Sequence, residues 1–391
     1  MQPSRVMSVF SQILHELFSR LEFQRAVKDA QAERHARGFT CWGQFVAMLF
    51  CQLGRAKSLR EICGGLACCE GKLSHLGITA PSRSTLAYAN THRPWELYEA
   101  VFFQLLGRCR AVAPGKRKFR FKNKLMSLDA SVIDLCASLF DWAKFRRTKG
   151  AVKLHLVLDH DGYLPCFAVI TEGREHEVKV AQTLTFPAGA ILVIDRGYTD
   201  YRWFASLHED GVSFVTRLKD NAVFTVVERR EVPENRGIVQ DEVIALTGIG
   251  AAEKCPYLLR RVEAVDPTTG ETLVFLTNHL TFGATTIAAI YKDRWQIELL
   301  FKTLKQHLKI KTFVGTSANA LKTQLWTALI ALLILKYLKL RSTFGWSLSN
   351  LVALLQFQLF THRDLWAWLN DPFTGPPPLV RAEQLVLPGT A

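Results

Sequence analysis

Apolar residues recur at helical spacing through the first 110 positions, in stretches such as FSQILHELFSRLEF and CWGQFVAMLFCQL separated by Gly-rich connectors. The period changes at residue 125. LMSLDASVIDL, AVKLHLVLD, LPCFAVIT, AILVIDRG and VSFVTRL are short β-rich runs with turn signals such as DHDG between them, and a helical TDYRWFASLHED precedes the last. AVFTVVERREV, YLLRRVEAV and ETLVFLTN continue as strands, after which helical spacing returns over 291–308, 317–341 and 347–369. A Pro-rich, peripheral tail ends the chain, and no internal repeat is visible. Strands in hairpin succession, then alternating with helices, predict a mixed sheet flanked by helices. The expected divisions are a helical domain 1–112, a linker 113–124, a first core part 125–218, a β-rich insertion 219–288, a second core part 289–345 and a helical C-terminal region 346–391.

One helical stretch, YKDRWQIELLFKTLK at 291–305, distributes its charges unusually. At about 100° per residue with Tyr291 at 0°, Arg294 falls near roughly 300°, Glu298 near 340°, Lys302 near 20° and Lys305 near 320°. Ile297, Leu300, Phe301, Leu304 and Leu308 fill the adjoining stripe. One carboxylate is thus ringed by cations beside a buried face. Taken alone, the Arg294–Glu298 and Glu298–Lys302 spacings read as solvated i,i+4 pairs worth a few tenths of a kcal/mol.

Charge changes the picture. The chain of 391 residues carries a formal net charge of +14. Residues 1–124 hold 20 Lys+Arg against 8 Asp+Glu, so nearly all the excess lies in the first third. Such a front end suits duplex DNA. PSRSTLAYANTHR places Arg83 at the start of a short helix resembling a recognition element, and APGKRKFRFKNK offers Lys116, Arg117 and Lys118 to phosphates. A membrane partner is disfavoured, since the apolar run LWTALIALLIL at 325–335 is short of a span and reads as a buried helix. The N-terminus has no secretory pattern, and nine scattered cysteines fit reduced thiols, so a cytoplasmic location is expected. CGGLACC lacks paired C-x2-C spacing and reads as incidental rather than zinc-binding.

Two acids sit at the ends of β-runs: Asp129 after LMSL and Asp195 after AILVI. An unpaired carboxylate there is costly unless it holds a cation. Carboxylate oxygens suit Mg²⁺, and two such ions can activate a nucleophile and stabilise a leaving oxygen in phosphodiester chemistry. That scheme needs a third acid, which Glu298 supplies. Asp134, Asp159, Asp161, Asp200 and His176 read as strand-end, turn, cap or surface residues.

Tyr291-x2-Arg294-x3-Glu298-x6-Lys305 is similar to the Y-x2-R-x3-E-x6-K signature of the IS4 family of DDE transposases, LDASVID resembles that family's first-acid motif, and DRGYTD its second. The motifs occur in the family's order, with its insertion between the second and third, and the likeness spans about residues 120–340. The N-terminal helical segment resembles the DNA-binding region of one group of these transposases. The resemblance implies an RNase H-like core in which Asp129, Asp195 and Glu298 ligate two Mg²⁺ ions, with Mn²⁺ as a substitute. Tyr291, Arg294 and Lys305 would contact transposon-end DNA, with Lys302 assisting. Expected partners are the terminal inverted repeats and target DNA, bound by a homodimer associated with the bacterial nucleoid. Some members stack a flipped base on a tryptophan in the insertion. Residues 204–294 contain none, which leaves phenylalanine, Tyr257 or Trp295 for such a role.

The expected function is cut-and-paste transposition, by phosphodiester hydrolysis and 3′-OH strand transfer. A catalytically inactive DNA-binding protein keeping the fold, or an RNase H-like nuclease without strand transfer, are the alternatives.

Overall fold

A computed structural model describes residues 7–34, 38–113, 118–136, 138–146, 149–308, 310 and 312–374. Lys116 and Arg117 lie outside the described residues. The leading helices are α1 (Val9–Leu17), α2 (Arg20–Asp29), α3 (Cys41–Leu53), α4 (Leu59–Ala67), α5 (Glu70–Leu73), α6 (Arg83–His92) and α7 (Glu96–Val112). Ser8, Ser19, Thr40, Ser58 and Ser82 each cap a helix by accepting a bond from the amide three residues on. Each such cap contributes about 1 kcal/mol.

The sheet follows, with β1 (Leu125–Leu135), β2 (Lys144–Arg146), β3 (Lys149–Asp159), β4 (Leu164–Glu172), helix α8 (Glu177–Gln182), β5 (Ile191–Ile194), helix α9 (Tyr201–Glu209) and β6 (Ser213–Arg217). β1 pairs antiparallel with β3 and β3 with β4, while β5 lies parallel to β1 and β6 parallel to β5. Three antiparallel strands followed by two parallel ones on the far side of the first is the RNase H-like topology. The next strands, β7 (Phe224–Arg229), β8 (Ile238–Leu246), β9 (Leu259–Val265) and β10 (Thr272–Thr277), with α10 (Ala251–Lys254) between β8 and β9, extend this sheet rather than leaving it. The order runs β2-β3-β1-β5-β6-β10-β9-β8-β7, with β4 on β3.

β8 is a strand that the sequence reading did not identify, and it carries internal charges. Asp241 accepts two bonds from Arg260 of β9, at 2.7 and 2.6 Å, and Glu242 pairs with Arg261 at 3.0 Å. Asp241 and Glu242 are buried strand residues satisfied across the ladder.

The chain ends in α11 (Ala284–Asp293), α12 (Trp295–His307), α13 (Ala318–Arg341), α14 (Leu348–Gln358) and α15 (Leu365–Asn370). The expected helix at 347–369 is divided by a turn, after which Asp364 caps α15 through the Ala367 amide at 2.7 Å. α13 is long and apolar enough to span a membrane, yet most of it is buried in the protein. It is the centre of a helical core shared by both ends of the chain. Trp326 packs against Phe102 with ring centroids 5.3 Å apart and stacks with Trp95 at 6.4 Å. The same core includes Phe10, Phe45, Leu332, Leu351 and Trp368.

Candidate active site

Alternation in β5 sets the site. Leu192 and Ile194 face α9, in the cluster containing Phe204 and Phe214, while Ile191 and Val193 face α11, in the cluster containing Ile287 and Ile290. Leu128 and Ile194 form the last parallel pair of β1 and β5. Asp129 and Asp195 are the next residues on neighbouring strands, about 4.8 Å apart at the backbone. The two-residue period turns both toward the face that α11 and α12 cover. Asp129 does not end its strand, as the sequence suggested, because β1 runs on to Leu135 while β5 stops at Ile194. β5 thus ends beside the middle of β1, where the sheet opens.

Glu298 arrives from α12. The expected continuous helix breaks at Arg294, where bonds from Arg294 N to Tyr291 O (3.1 Å) and from Ile297 N to Arg294 O (3.0 Å) tighten the turn. The break brings the guanidinium over β1. Nη2 lies 2.5 Å from Glu298 Oε1 and Nη1 lies 3.7 Å from Asp129 Oδ2. Of the two spacings read as solvated pairs, Arg294–Glu298 forms an ion pair, but not on a solvated face, since the Arg294 side chain is only 13 % exposed and that of Asp129 19 %. Burial works against the Arg294 charge, but Tyr291, Glu298 and Asp129 outweigh it and hold its pKa above the usual value.

Asp129 is the perturbed acid. Burial pushes it up to about 6; the Ala130 amide and Arg294 pull it down, while Asp195 and Glu177 push it up. Glu177 opens α8 and pairs with Lys153 at 3.3 Å. The buried Tyr198 hydroxyl has no hydrogen-bond partner among the described residues, and burial followed by Asp129, Glu177 and Asp195 raises its pKa. Glu177 and Tyr198 are neighbours that the sequence did not reveal. Tyr198 stands in the DRGYTD motif, which was the available clue.

The cations differ in placement. Tyr291 is buried against Phe275 with ring centroids 5.0 Å apart, beneath Arg294 at 5.5 Å. Lys302 is exposed and Lys305 half-buried, while Arg83 is exposed in the first turn of α6. Lys118 is exposed and bonds Asp293. Asp159 and Asp161 form the expected turn, with Asp161 N donating to Asp159 Oδ1 at 3.0 Å, and Asp200 caps α9 through the Trp203 amide at 3.0 Å. Asp134 is exposed on β1. A cavity of about 410 Å³ between β8–β10 and α11 opens beside Arg294, with Trp295, 57 % exposed, among its walls.

Among the described residues, no three His, Cys, Asp or Glu side chains stand close enough to hold an ion as placed. The donor chemistry still fits a hard divalent cation. Asp129 and Asp195 present oxygen alone, Glu177 adds negative charge beside them, and Glu298 is held nearby by a guanidinium rather than by an apolar wall.

The chain matches the family described as Transposase DDE domain over residues 120–334, and residues 6–79 match a Domain of unknown function (DUF4372). It is 33 % identical over 303 residues to the protein named as transposase y4zB of Sinorhizobium fredii, covering 76 % of this chain and 83 % of that one. It is 28 % identical over 257 residues to the protein named as the transposase for insertion sequence element IS5377 of Geobacillus stearothermophilus, covering 65 % and 67 %. A cryo-EM structure of the piggyBac transposase synaptic complex with hairpin DNA superposes with a TM-score of 0.45 at 10 % identity, covering 96 % of this chain and 84 % of that one.

Proposed function

The chain belongs to the DDE transposases of insertion sequences, and from that premise we propose that it binds the ends of its element, hydrolyses a phosphodiester there and transfers the freed 3′-OH to target DNA. The observation that carries this reading is the placement of Asp129 and Asp195 side by side at the open end of β5, with Glu298 linked to Asp129 through Arg294. Asp129, Asp195 and Glu298 would hold Mg²⁺ or Mn²⁺, two ions in the full site. When bound, the metal supplies activation of the attacking oxygen and stabilisation of the leaving one.

The chain's own residues do the rest. Arg294 offsets the charge of Asp129 and Glu298, and its planar guanidinium can serve a DNA phosphate from the same place. Lys305 and the exposed Lys302 continue that cationic stripe along α12 for the strand leading away from the cut, and Tyr291 supports Arg294 from below. Arg83 on α6 and the basic linker of Lys116, Arg117 and Lys118 engage duplex phosphates farther from the scissile bond. A homodimer would let one protomer hold each end.

Incubation of the full chain with duplexes carrying the element's inverted repeats and a target plasmid tests the proposal. Mg²⁺-dependent release of a 3′-OH end and its joining to target support it. DNA binding without cleavage favours the inactive DNA-binding alternative, and cleavage without joining favours the nuclease.

A further inference from the structure

A chain of polar contacts centred on a buried carboxylate lies behind Arg294; the three acids proposed as metal ligands take no part in it, and Lys118, assigned above to DNA phosphates, is its exposed member. Asp293, the last residue of α11, is 2 % exposed. Its Oδ2 accepts from His160 Nδ1 at 2.6 Å and from the Tyr163 hydroxyl at 3.3 Å, and its Oδ1 accepts from Lys118 Nζ at 2.5 Å. His160 Nε2 in turn meets Ser127 Oγ at 2.7 Å. A carboxylate can only accept, so Nδ1 carries the proton of that contact, and Nε2 faces the Ser127 hydroxyl. Burial would push Asp293 up, but the bonds and charges of His160 and Lys118 hold it below the usual carboxylate range.

Ser, His and Asp in this order match the connectivity of a nucleophilic triad. Ser127, however, is fully buried within β1 between its paired neighbours β3 and β5, so no substrate reaches its hydroxyl. The contacts form an anchor, and its path closes on itself. Ser127 lies two residues before Asp129 on the same strand face, Asp293 directly precedes Arg294, and Arg294 returns to Asp129.

We infer that Asp293 is a positioning residue: held by His160 and Ser127, it fixes the turn between α11 and α12 and so sets the Arg294 guanidinium between Asp129 and Glu298. The alternative is a buried ion pair that only stabilises the fold. The inference rests on the cleavage reaction proposed above, and wild-type cleavage is the control for that reading.

The test is a double-variant cycle in the full chain, using Asp293→Ala, Arg294→Ala and the pair. The readouts are cleavage rate at saturating inverted-repeat DNA and Mg²⁺, DNA affinity, and thermal unfolding. Positioning predicts that Asp293→Ala slows cleavage by about tenfold or more, since small misplacements are costly. DNA affinity should stay within about threefold, and the same change made in Arg294→Ala should cost under about twofold. Asp293→Asn, which can bond His160 through the other tautomer, should recover most of the rate. His160→Phe keeps a ring and leaves Asp293 its Lys118 and Tyr163 partners, and it replaces Asp293→Ala in the cycle should that variant fail to fold. Rate losses that multiply independently, or lowered thermal stability with an unchanged rate per folded molecule, overturn the inference. A wild type that does not cleave overturns the parent reading, and the thermal cycle then decides: melting-temperature losses of the singles that together exceed that of the pair support coupling, and simple addition overturns it.

Discussion

Arg294 Nη1 stands 3.7 Å from Asp129 Oδ2 while Nη2 holds Glu298, so one guanidinium ties the acid of a strand to the acid of a helix. It competes for the carboxylate oxygens that a divalent cation would use. Arg294→Ala should lower metal-free stability by roughly 2 kcal/mol, because two half-buried acids lose their counter-charge. It should also enlarge the rise in melting temperature on adding Mn²⁺. A smaller Mn²⁺ response than in wild type would show that the guanidinium does not compete with metal.

Asp129 gives the protein a pH signature. Its carboxyl is raised from 3.8 to about 6, so between those values the folded state binds a proton that the unfolded chain has released. Stability from this group is therefore present at low pH and is lost as pH rises through about 6. The loss reaches up to about 3 kcal/mol, at roughly 1.4 kcal/mol for each pH unit between the folded and unfolded values. Asp129→Asn should be more stable than wild type at pH 7.5 without metal, and the gap should close near pH 4. Denaturant unfolding at the two pH values measures this, and a gap that widens on acidification contradicts it.

The β1, β3, β5 and β6 runs were legible because their apolar periodicity is unbroken, and the order of acid motifs pointed to Asp129, Asp195 and Glu298. Three features were hidden for physical reasons. β8 buries Asp241 and Glu242 against arginines of β9, so its charges mimic a loop. The break at Arg294 is marked by no Gly or Pro, because its turn is held through the tertiary contacts of Asp293. Glu177 belongs to neither acid motif and opens a short helix of its own; only the folding of α8 beside the open end of β5 brings its charge to Asp129.

The N-terminal helices are expected to bind DNA only within the full chain. Trp326 of α13 packs against both Trp95 and Phe102, so a fragment ending at residue 124 would expose that face. Trp326→Ala should cost about 3–5 kcal/mol and weaken the packing of α7. In the intact protein Arg83→Ala should reduce affinity for inverted-repeat DNA and flatten the log–log salt dependence by about 0.9, the share of one phosphate contact. An unchanged slope in a salt titration would remove Arg83 from the interface.

Glu298 decides the assignment of the site. If it is a ligand, Glu298→Gln keeps its size and its hydrogen bond from Arg294 but loses the charge that attracts a cation. Mg²⁺-dependent cleavage should then fall by at least about 10²-fold, in line with the loss of a group that organises transition-state charge. Asp129→Ala and Asp195→Ala should fall as far. Asp134→Ala, on the same strand as Asp129 but exposed, should cleave normally. Linkage supplies a second reading on the same proteins: a metal at about 100 times its Kd stabilises a folded chain by about 2.7 kcal/mol, so the Mn²⁺ shift expected of wild type should shrink in Glu298→Gln and persist in Asp134→Ala. If Glu298→Gln kept both cleavage and the Mn²⁺ shift, the residue would be no more than the partner of Arg294 in a half-buried ion pair.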